Sequence, residues 1–480
     1  MSKKGGKRNA KAMKDDVGGS EEVSKKRARV DSSIKADDKS NKFGIEITTH
    51  ETIVVMTPKN NEEHKRSKIA AFDMDSTLVE PKSGKKFPLN RQDWKWFFDG
   101  DVIPKKLKEL YADGFRIVII SNQNGISKGH QEESDITGKI IDLSDEVKEV
   151  CLGIPLAAVF SKDEDHWRKP SKKMWQYFVK HCNNMASSDS KENEDKKTEE
   201  SKGDGIDYTC SVYVGDAAGR FDKWDGKATT KKDFSCSDRK FAKNCGLIFH
   251  TPETFFLNQK ETDRWEWGCL DPMDFLLSVE KLHGPVVVIN DESKKEEKSE
   301  TNEQIAKWFH GSLPIARSGS LDVVIMHGPP AAGKSTFVKR YLISQGYEWI
   351  NRDTLNTQAK CLKAAEAALK AGKNVVIDNT NPDPTSRKPY AALAKKYKAK
   401  LRGFMLTTNR ELADHLNLYR EKLTEGAVAR IGRMGVNSYY KKAREGGAPT
   451  TAEGFDEIAT VDFFPKFENE SQKQLFLEFN

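Results

Sequence analysis

Apolar residues in this chain recur in short blocks, and each block runs into a distinctive polar cluster. Ile69–Phe72 is followed at once by Asp73-Met74-Asp75-Ser76-Thr77. Phe115–Ile120 is followed by Ser121-Asn122-Gln123-Asn124-Gly125, and Ser211–Val214 by Gly215-Asp216. Short apolar runs bounded by turn formers predict strands buried on both faces of a parallel sheet. The second half repeats the rhythm, with strands predicted at Val323–Met326, near Trp349-Ile350, at Val375–Ile377 and at Arg402–Leu406. Between them a 3.6-residue periodicity predicts helices over Leu355–Ala371 and Pro384–Lys396. The fold class expected is α/β, with two parallel-sheet three-layer domains and no internal repeat. Ligands of such sheets bind beyond the carboxyl ends of the strands, so the first three polar clusters predict one site assembled from three places.

Shifts in composition mark the boundaries. Residues 1–43 are rich in Lys, Ser, Gly and Asp with almost no large apolar side chains, so a disordered basic tail is expected there. Its clusters, Lys25-Lys26-Arg27-Ala28-Arg29 and the stretch Lys3–Lys14, read as nuclear-localisation or nucleic-acid-contact segments, or as a solvated charged tail. The first domain is expected over 44–288, interrupted by a charged surface insertion at about 187–205. A charged linker follows at 289–303, and the second domain occupies 304–480. The net charge of +7 permits a polyanionic partner. The 7 Cys are scattered without a C-x-x-C pair, which points to free thiols in a reducing compartment. With no apolar run of transmembrane length and no signal-peptide core, a soluble intracellular protein with no membrane partner is expected.

The sharpest chemical signal follows Val323–Met326. The residues Gly328-Pro329-Pro330-Ala331-Ala332-Gly333-Lys334-Ser335-Thr336 fit G-x-x-x-x-G-K-[ST] between a predicted strand and a predicted helix. Glycines let the backbone wrap a polyphosphate, and the amide groups at the helix start stabilise its charge. Lys334 would reach the β- and γ-phosphates and the Ser335 hydroxyl would hold Mg²⁺, so ATP binding is predicted. Asp353, in Asn351-Arg352-Asp353, can accept the proton of an attacking hydroxyl or cap the following helix. Asp378 can support Mg²⁺ through water or merely cap. Arg420, Arg430 and Arg433 lie in a Gly-containing region suited to a mobile lid, where one or more could stabilise a transferring phosphoryl group.

In the first half, Asp73 and Asp75 are two apart, and a turn past the strand can place one against a phosphorus atom and the other near the leaving oxygen. One carboxylate can attack to form an acyl-phosphate while the other donates and later removes a proton. Thr77 and Ser121 are hydroxyl donors suited to phosphoryl oxygens, and Lys169 in Arg168-Lys169-Pro170 can neutralise their charge. Asp216 can complete a Mg²⁺ site with Asp73. Lys85, Lys86 and Arg91 are candidate phosphate-backbone contacts or an ordinary solvated face.

This ordered set resembles the haloacid-dehalogenase-type phosphatases. The resemblance implies Asp73 as nucleophile and Asp75 as general acid and base, with Thr77, Ser121, Asn122 and Lys169 binding phosphate. It places Mg²⁺ on Asp73, the Asp75 carbonyl and Asp216, and makes Asp238 a second acid of the last motif, displaced by the segment from Ala217 to Ser237. Ser76 stands where that family usually has Gly. The full order FDMDSTL, SNQNGI, WRKP, YVGDAAGR, KDFSCSDR, GPPAAGKST, NRDTL and VVIDNTNPD closely resembles the eukaryotic bifunctional polynucleotide phosphatase/kinases. That family removes 3′-phosphates from DNA ends and phosphorylates 5′-hydroxyls in strand-break repair. The resemblance implies Asp353 as general base on a 5′-hydroxyl, DNA strand-break ends as substrate, repair scaffold, ligase and polymerase proteins as partners, and the nucleus as location. The N-terminal tail is too short and polar for the forkhead-associated domain of vertebrate members, so recruitment by that route is not expected. Ala331 replaces a Gly of the family's phosphate loop. RNA-end repair, a small-molecule kinase fused to a phosphatase, and a non-catalytic DNA-end-binding scaffold are the competing readings.

Overall fold

The computed structural model describes residues 44–151, 154–185, 204–289 and 300–480; the basic tail, most of the charged insertion and most of the linker lie outside the described residues. Two sheets organise the chain. The first has seven strands in the spatial order Ile45–His50, Ile53–Pro58, Ala157–Ser161, Phe115–Asn122, Lys68–Phe72, Val212–Val214 and Ile248–His250. The last five are mutually parallel, while the first two form a hairpin joined antiparallel to the edge. The hairpin turns at Glu51, whose φ is 52°. Sequence analysis predicts no hairpin, and its two strands convert a purely parallel sheet into a mixed one.

Strand alternation sends neighbouring side chains to opposite faces. Ala70, Phe72, Ile117 and Ile119 therefore join the core on one face, and Ile69, Ala71, Val118 and Ile120 the core on the other. Burial on both faces explains why these strands read as continuous apolar runs. Helix Val102–Ala112 covers the first face, whereas Ser237–Cys245 contributes Phe241 and Ala242 to the second.

The second sheet has six strands in the order Phe309–His310, Glu457–Val461, Lys400–Leu406, Asp322–His327, Val375–Asp378 and Glu348–Asn351. All pairs are parallel except the first. Val324 and Met326 face one core, Val323 and Ile325 the other. The helix Pro384–Lys396 has its predicted bounds, whereas the helix predicted over Leu355–Ala371 is two: Arg352–Leu355 and Gln358–Lys370. The break is at Asn356, with φ of 67°, followed by Thr357, whose side chain caps the second helix.

A fifth apolar cluster joins the two halves. Leu276 from helix Pro272–His283 packs with Leu412, Leu416, Phe467 and Phe476 of the second half, and Ala331 lies against the same cluster. Beyond it the chain end lies on the first half. Phe479 packs on Trp267 with ring centroids 4.2 Å apart, Lys240 donates to the Asn480 carbonyl at 2.9 Å, and Glu478 pairs with Lys172. Among the described residues no helix is long and apolar enough to cross a membrane.

Candidate active sites

At the carboxyl edge of the first sheet, Asp73 follows the central strand and its backbone N–H donates to the Val214 carbonyl at 2.9 Å. Lys169 is buried beneath it. Its ammonium stands 2.9 Å from Asp73 Oδ1 and 2.8 Å from Asp238 Oδ1, and donates to the Tyr213 hydroxyl at 2.6 Å. Tyr213 in turn donates to the Ile120 carbonyl at 2.8 Å, which fixes the lysine tip to the sheet. Burial works against the Lys169 ammonium, but Asp238 and Asp73 more than offset it and its pKa is raised.

Three carboxylates converge here. Oxygens of Asp73, Asp216 and Asp238 lie within 4.8 Å of one another. Burial, then Asp238 and Asp73, push the Asp216 carboxyl well above the usual range. Burial likewise raises Asp238 to about 6, opposed by Lys169 and helped by Asp73. Lys169, even with Arg168 nearby, does not balance three carboxylates of which Asp238 is buried and Asp73 and Asp216 are partly buried, and a hard divalent cation would relieve the excess through oxygen donors. The donor set therefore fits Mg²⁺. The Asp75 carboxylate is not one of the three: it accepts from Gln123 Nε2 at 2.8 Å and lies 3.6 Å from the buried Lys139 ammonium. Asp238 supplies the third acid, and it reaches the site because Ser237–Cys245 starts as a helix under Gly215. A Cβ on Gly215 would meet Asp238 Oδ2 at 2.4 Å, so glycine is required there by close approach.

The phosphate-binding candidates surround this group. Thr77 is fully buried, and its hydroxyl accepts from the Asp216 backbone N–H at 3.1 Å. Ser121, also buried, accepts from Gln123 at 2.9 Å. Asn122 has a supporting position: its Oδ1 accepts from the Lys169 backbone N–H at 2.8 Å and its Nδ2 donates to the Lys169 carbonyl. Arg168 stands beside them with its Nη1 buried and unbonded, and burial lowers its pKa against the pull of Glu164, Asp73 and Asp238. The segment between Asp216 and Asp238 leaves and returns at this edge, held by Arg220, which pairs with Asp233 at 2.8 Å and Glu253 at 2.9 Å. At its end Phe234 is 93% exposed beside Lys231 and Lys232. Lys85 and Lys86 are exposed, whereas Arg91 is committed to Asp142 at 2.6 Å.

The second site opens at the carboxyl edge of the second sheet. The loop from Gly328 to Gly333 joins the central strand to helix Lys334–Tyr341, with Gly333 at φ 89° and Ala331 at φ 62°. Ala331 carries a conformation that glycine adopts more cheaply. Asn381 steadies the loop by donating to the Met326 carbonyl at 2.7 Å, and the Gly328 N–H donates to the Thr380 carbonyl. Lys334 folds back onto the loop, donating to the carbonyls of Pro329 at 2.6 Å and Gly328 at 3.1 Å. Burial lowers its pKa to about 8, against the pull of Asp378 and Asp353. A polyphosphate would supply the anionic partner that Lys334 lacks among the described residues.

A cavity of about 530 Å³ extends from this loop, lined by Lys334, Ser335, Asp353, Asp378, Arg420 and Phe463 among others. Pro330, Ala331, Ala332, Gly333 and Thr336 also line it, while Gly328 and Pro329 sit behind. Asp353 is exposed, and the cap of its short helix is Asn351, whose Oδ1 accepts from the N–H groups of Asp353 at 2.7 Å and Thr354. The Asp353 carboxylate is thereby left for other work. Asp378 is buried and accepts from Trp349 Nε1 at 2.9 Å and Asn351 Nδ2 at 3.1 Å. Of the three lid candidates, Arg420 lines the cavity with a buried, unbonded Nε. Arg430 and Arg433 do not line it. Arg430 points to the first half, 3.8 Å from Glu164, and Arg433 opens an exposed helix end.

Sequence reasoning passed over Gln123, Tyr213, Asn351 and Asn381. Tyr213 reads as one more apolar strand residue, and the amides carry no signal until their partners are known.

Comparison with known proteins accords with this two-site plan. A family profile described as polynucleotide kinase 3 phosphatase matches residues 68–256, and one described as AAA domain matches residues 323–429. The bifunctional polynucleotide phosphatase/kinase of Schizosaccharomyces pombe is 33% identical over 423 residues, covering 87% of this chain and 85% of the relative. A putative bifunctional polynucleotide phosphatase/kinase of Acanthamoeba polyphaga mimivirus is 31% identical over 435 residues, covering 87% and 90%. The polynucleotide 3′-phosphatase of Arabidopsis thaliana is 30% identical over 213 residues, 42% of this chain and 26% of that protein.

Proposed function

The chain belongs to the bifunctional polynucleotide phosphatase/kinase family, and from that premise we propose that it repairs DNA ends, removing 3′-phosphates and phosphorylating 5′-hydroxyls with ATP. The observation that carries the phosphatase half is the Lys169 ammonium held between Asp73 and Asp238, with Asp216 completing a carboxylate triplet. Mg²⁺ bound there would neutralise the phosphate and hold it against Asp73. An oxygen of Asp73 attacks phosphorus in line; the P–O3′ bond breaks as Asp75 gives its proton to the departing oxygen. Water then attacks the aspartyl-phosphate and Asp75 takes its proton, which releases Asp73 and inorganic phosphate. Thr77, Ser121 and Lys169 hold the phosphoryl oxygens throughout.

At the second site Asp353 takes the proton of the 5′-hydroxyl as its oxygen attacks the γ-phosphorus and the bond to the β-phosphate bridging oxygen breaks. Lys334 and Arg420 balance the developing charge, and Ser335 would hold the Mg²⁺ that accompanies ATP. Exposed Phe234 with Lys231 and Lys232 at the phosphatase edge suits a nucleic-acid strand, offering a stacking face and backbone charges that a small sugar phosphate does not need. The basic clusters within residues 1–43 support nuclear residence.

The test is a nicked DNA duplex bearing a 3′-phosphate and a 5′-hydroxyl, incubated with Mg²⁺ and ATP while each terminus is followed separately. Loss of the 3′-phosphate together with gain of a 5′-phosphate is expected. Processing of an RNA nick in preference to the DNA nick would overturn the substrate assignment, and binding without change at either end would leave only a scaffold.

A further inference from the structure

Gln123 occupies a position between the two kinds of chemistry at the first site. It is 3% exposed, and its backbone N–H donates to the Ser161 carbonyl at 2.7 Å, fixing it against the neighbouring strand. Its side-chain amide nitrogen has two protons and both are engaged. One goes to Asp75 Oδ2 at 2.8 Å and the other to Ser121 Oγ at 2.9 Å. The Asp75 side chain is 41% exposed, on a loop where Ser76 has φ of 59°, and its other neighbour is Lys139 at 3.6 Å, beyond hydrogen-bond length. A half-exposed carboxylate on a loop has several rotamers open to it, and Gln123 is its rigid, buried hydrogen-bond donor.

We infer that Gln123 is the positioning residue of the phosphatase site: one amide holds the Asp75 carboxyl toward the leaving oxygen and at the same time orients Ser121. Because the serine oxygen accepts from Gln123, its own proton is left to donate to a phosphoryl oxygen. The spacing between the proton donor and the phosphate-binding hydroxyl is thus set by a single planar group. This inference rests on the reading of Asp75 as general acid and base.

The test uses the full chain and two oligonucleotides that differ in one atom. One ends in an ordinary 3′-phosphate; in the other sulfur replaces the bridging 3′-oxygen. A departing thiolate is far less basic than an alkoxide and leaves without protonation, so it does not need Asp75 in the first step. Gln123→Met keeps the side chain's length and removes the donor. We expect kcat/KM for the 3′-phosphate to fall about 10- to 100-fold, and that for the sulfur-bridged substrate, where only the orientation of Ser121 is lost, to fall no more than about threefold. An unchanged 5′-kinase rate reports that the chain is folded. Equal losses on both substrates, or no loss on either, overturn the inference. Asp75→Asn is run alongside. If it shows the leaving-group pattern and Gln123→Met does not, the inference alone fails. If Asp75→Asn hits both substrates equally, the general-acid reading fails and takes the inference with it.

Discussion

The ammonium of Lys169 lies 2.8 Å from the carboxylate of Asp238, and both groups are almost wholly buried. Asp238 belongs to the helix Ser237–Cys245, after the whole segment that separates it from Asp216, yet it completes the acidic triplet. Replacing Asp238 by Ala should therefore cost the 3′-phosphatase at least about 100-fold and raise the Mg²⁺ concentration needed for half-maximal rate. The check is phosphate release from a 3′-phosphorylated oligonucleotide across a Mg²⁺ titration, with the kinase rate expected to stay within about twofold.

The two sites are assembled on different sheets, so their activities should separate cleanly. Asp73→Asn is expected to lower 3′-phosphatase turnover by at least about 1,000-fold, because the proposed nucleophile is gone, and to spare the kinase. Lys334→Ala should do the reverse. End-labelled assays of both termini on each variant decide the matter, and a folded variant that lost both activities would contradict the two-site assignment.

Glu478 is shared between the halves. Its carboxylate pairs with Lys172 at 2.9 Å and with the largely buried Lys422 at 3.1 Å. Glu478→Gln would leave Lys422 without a counter-charge in a desolvated place, which should destabilise the chain by about 3 kcal/mol. Urea unfolding followed by tryptophan fluorescence should show the lowered midpoint.

His415 is buried against the helix Glu470–Phe476, its Nε2 2.9 Å from the Phe476 carbonyl and its Nδ1 3.0 Å from Asn480. Burial lowers its pKa to about 4 from an ordinary 6.5. Above pH 6.5 the imidazole is neutral whether the chain is folded or not, and it contributes no pH dependence. Below that, the unfolded chain takes up a proton that the folded chain refuses, so stability falls until about pH 4. The loss should be about 2 kcal/mol at pH 5. Unfolding curves at about pH 7 and pH 5 for the wild type and His415→Gln should differ by that amount, the variant losing less.

Binding to a DNA end should weaken as salt rises, because phosphate contacts release counterions. Charge reversal at Lys231 and Lys232, which shortly precede the exposed Phe234, should flatten the dependence of log Kd on log salt by about one to two. Fluorescence anisotropy with a labelled 3′-phosphorylated duplex across a salt series gives the slope directly.

Much of the site is legible in the residue order because the chemistry sits where strands end. Asp73, Ser121 and Asp216 each follow an apolar run, and Gly333-Lys334-Ser335 follows another; a strand end is local, and so is its signature. Asp353 reads two ways from sequence alone. The cap in fact comes from Asn351, a choice between two nearby side chains that spacing does not make. The edge hairpin Ile45–Pro58 and the strand Glu457–Val461 carry no such signature, because each is defined by the partner it pairs with. Arg430 shares its signal with Arg420, but it lies beside Glu164 of the other half and does not line the cavity.

By itself the sequence determined which backbone segments alternate, which strand ends carry acids or glycines, and so which two reactions the chain is built to perform. Tertiary structure alone decided which of those groups touch: that Lys169 sits between Asp73 and Asp238, that Tyr213 and Gln123 are hydrogen-bonded to Lys169 and Asp75, and that Glu478 ties the halves together. The reason is one of range. Hydrophobic period and backbone preference act over a few residues and are written locally, whereas a buried charge finds its partner only after the chain has brought distant segments into one water-poor space.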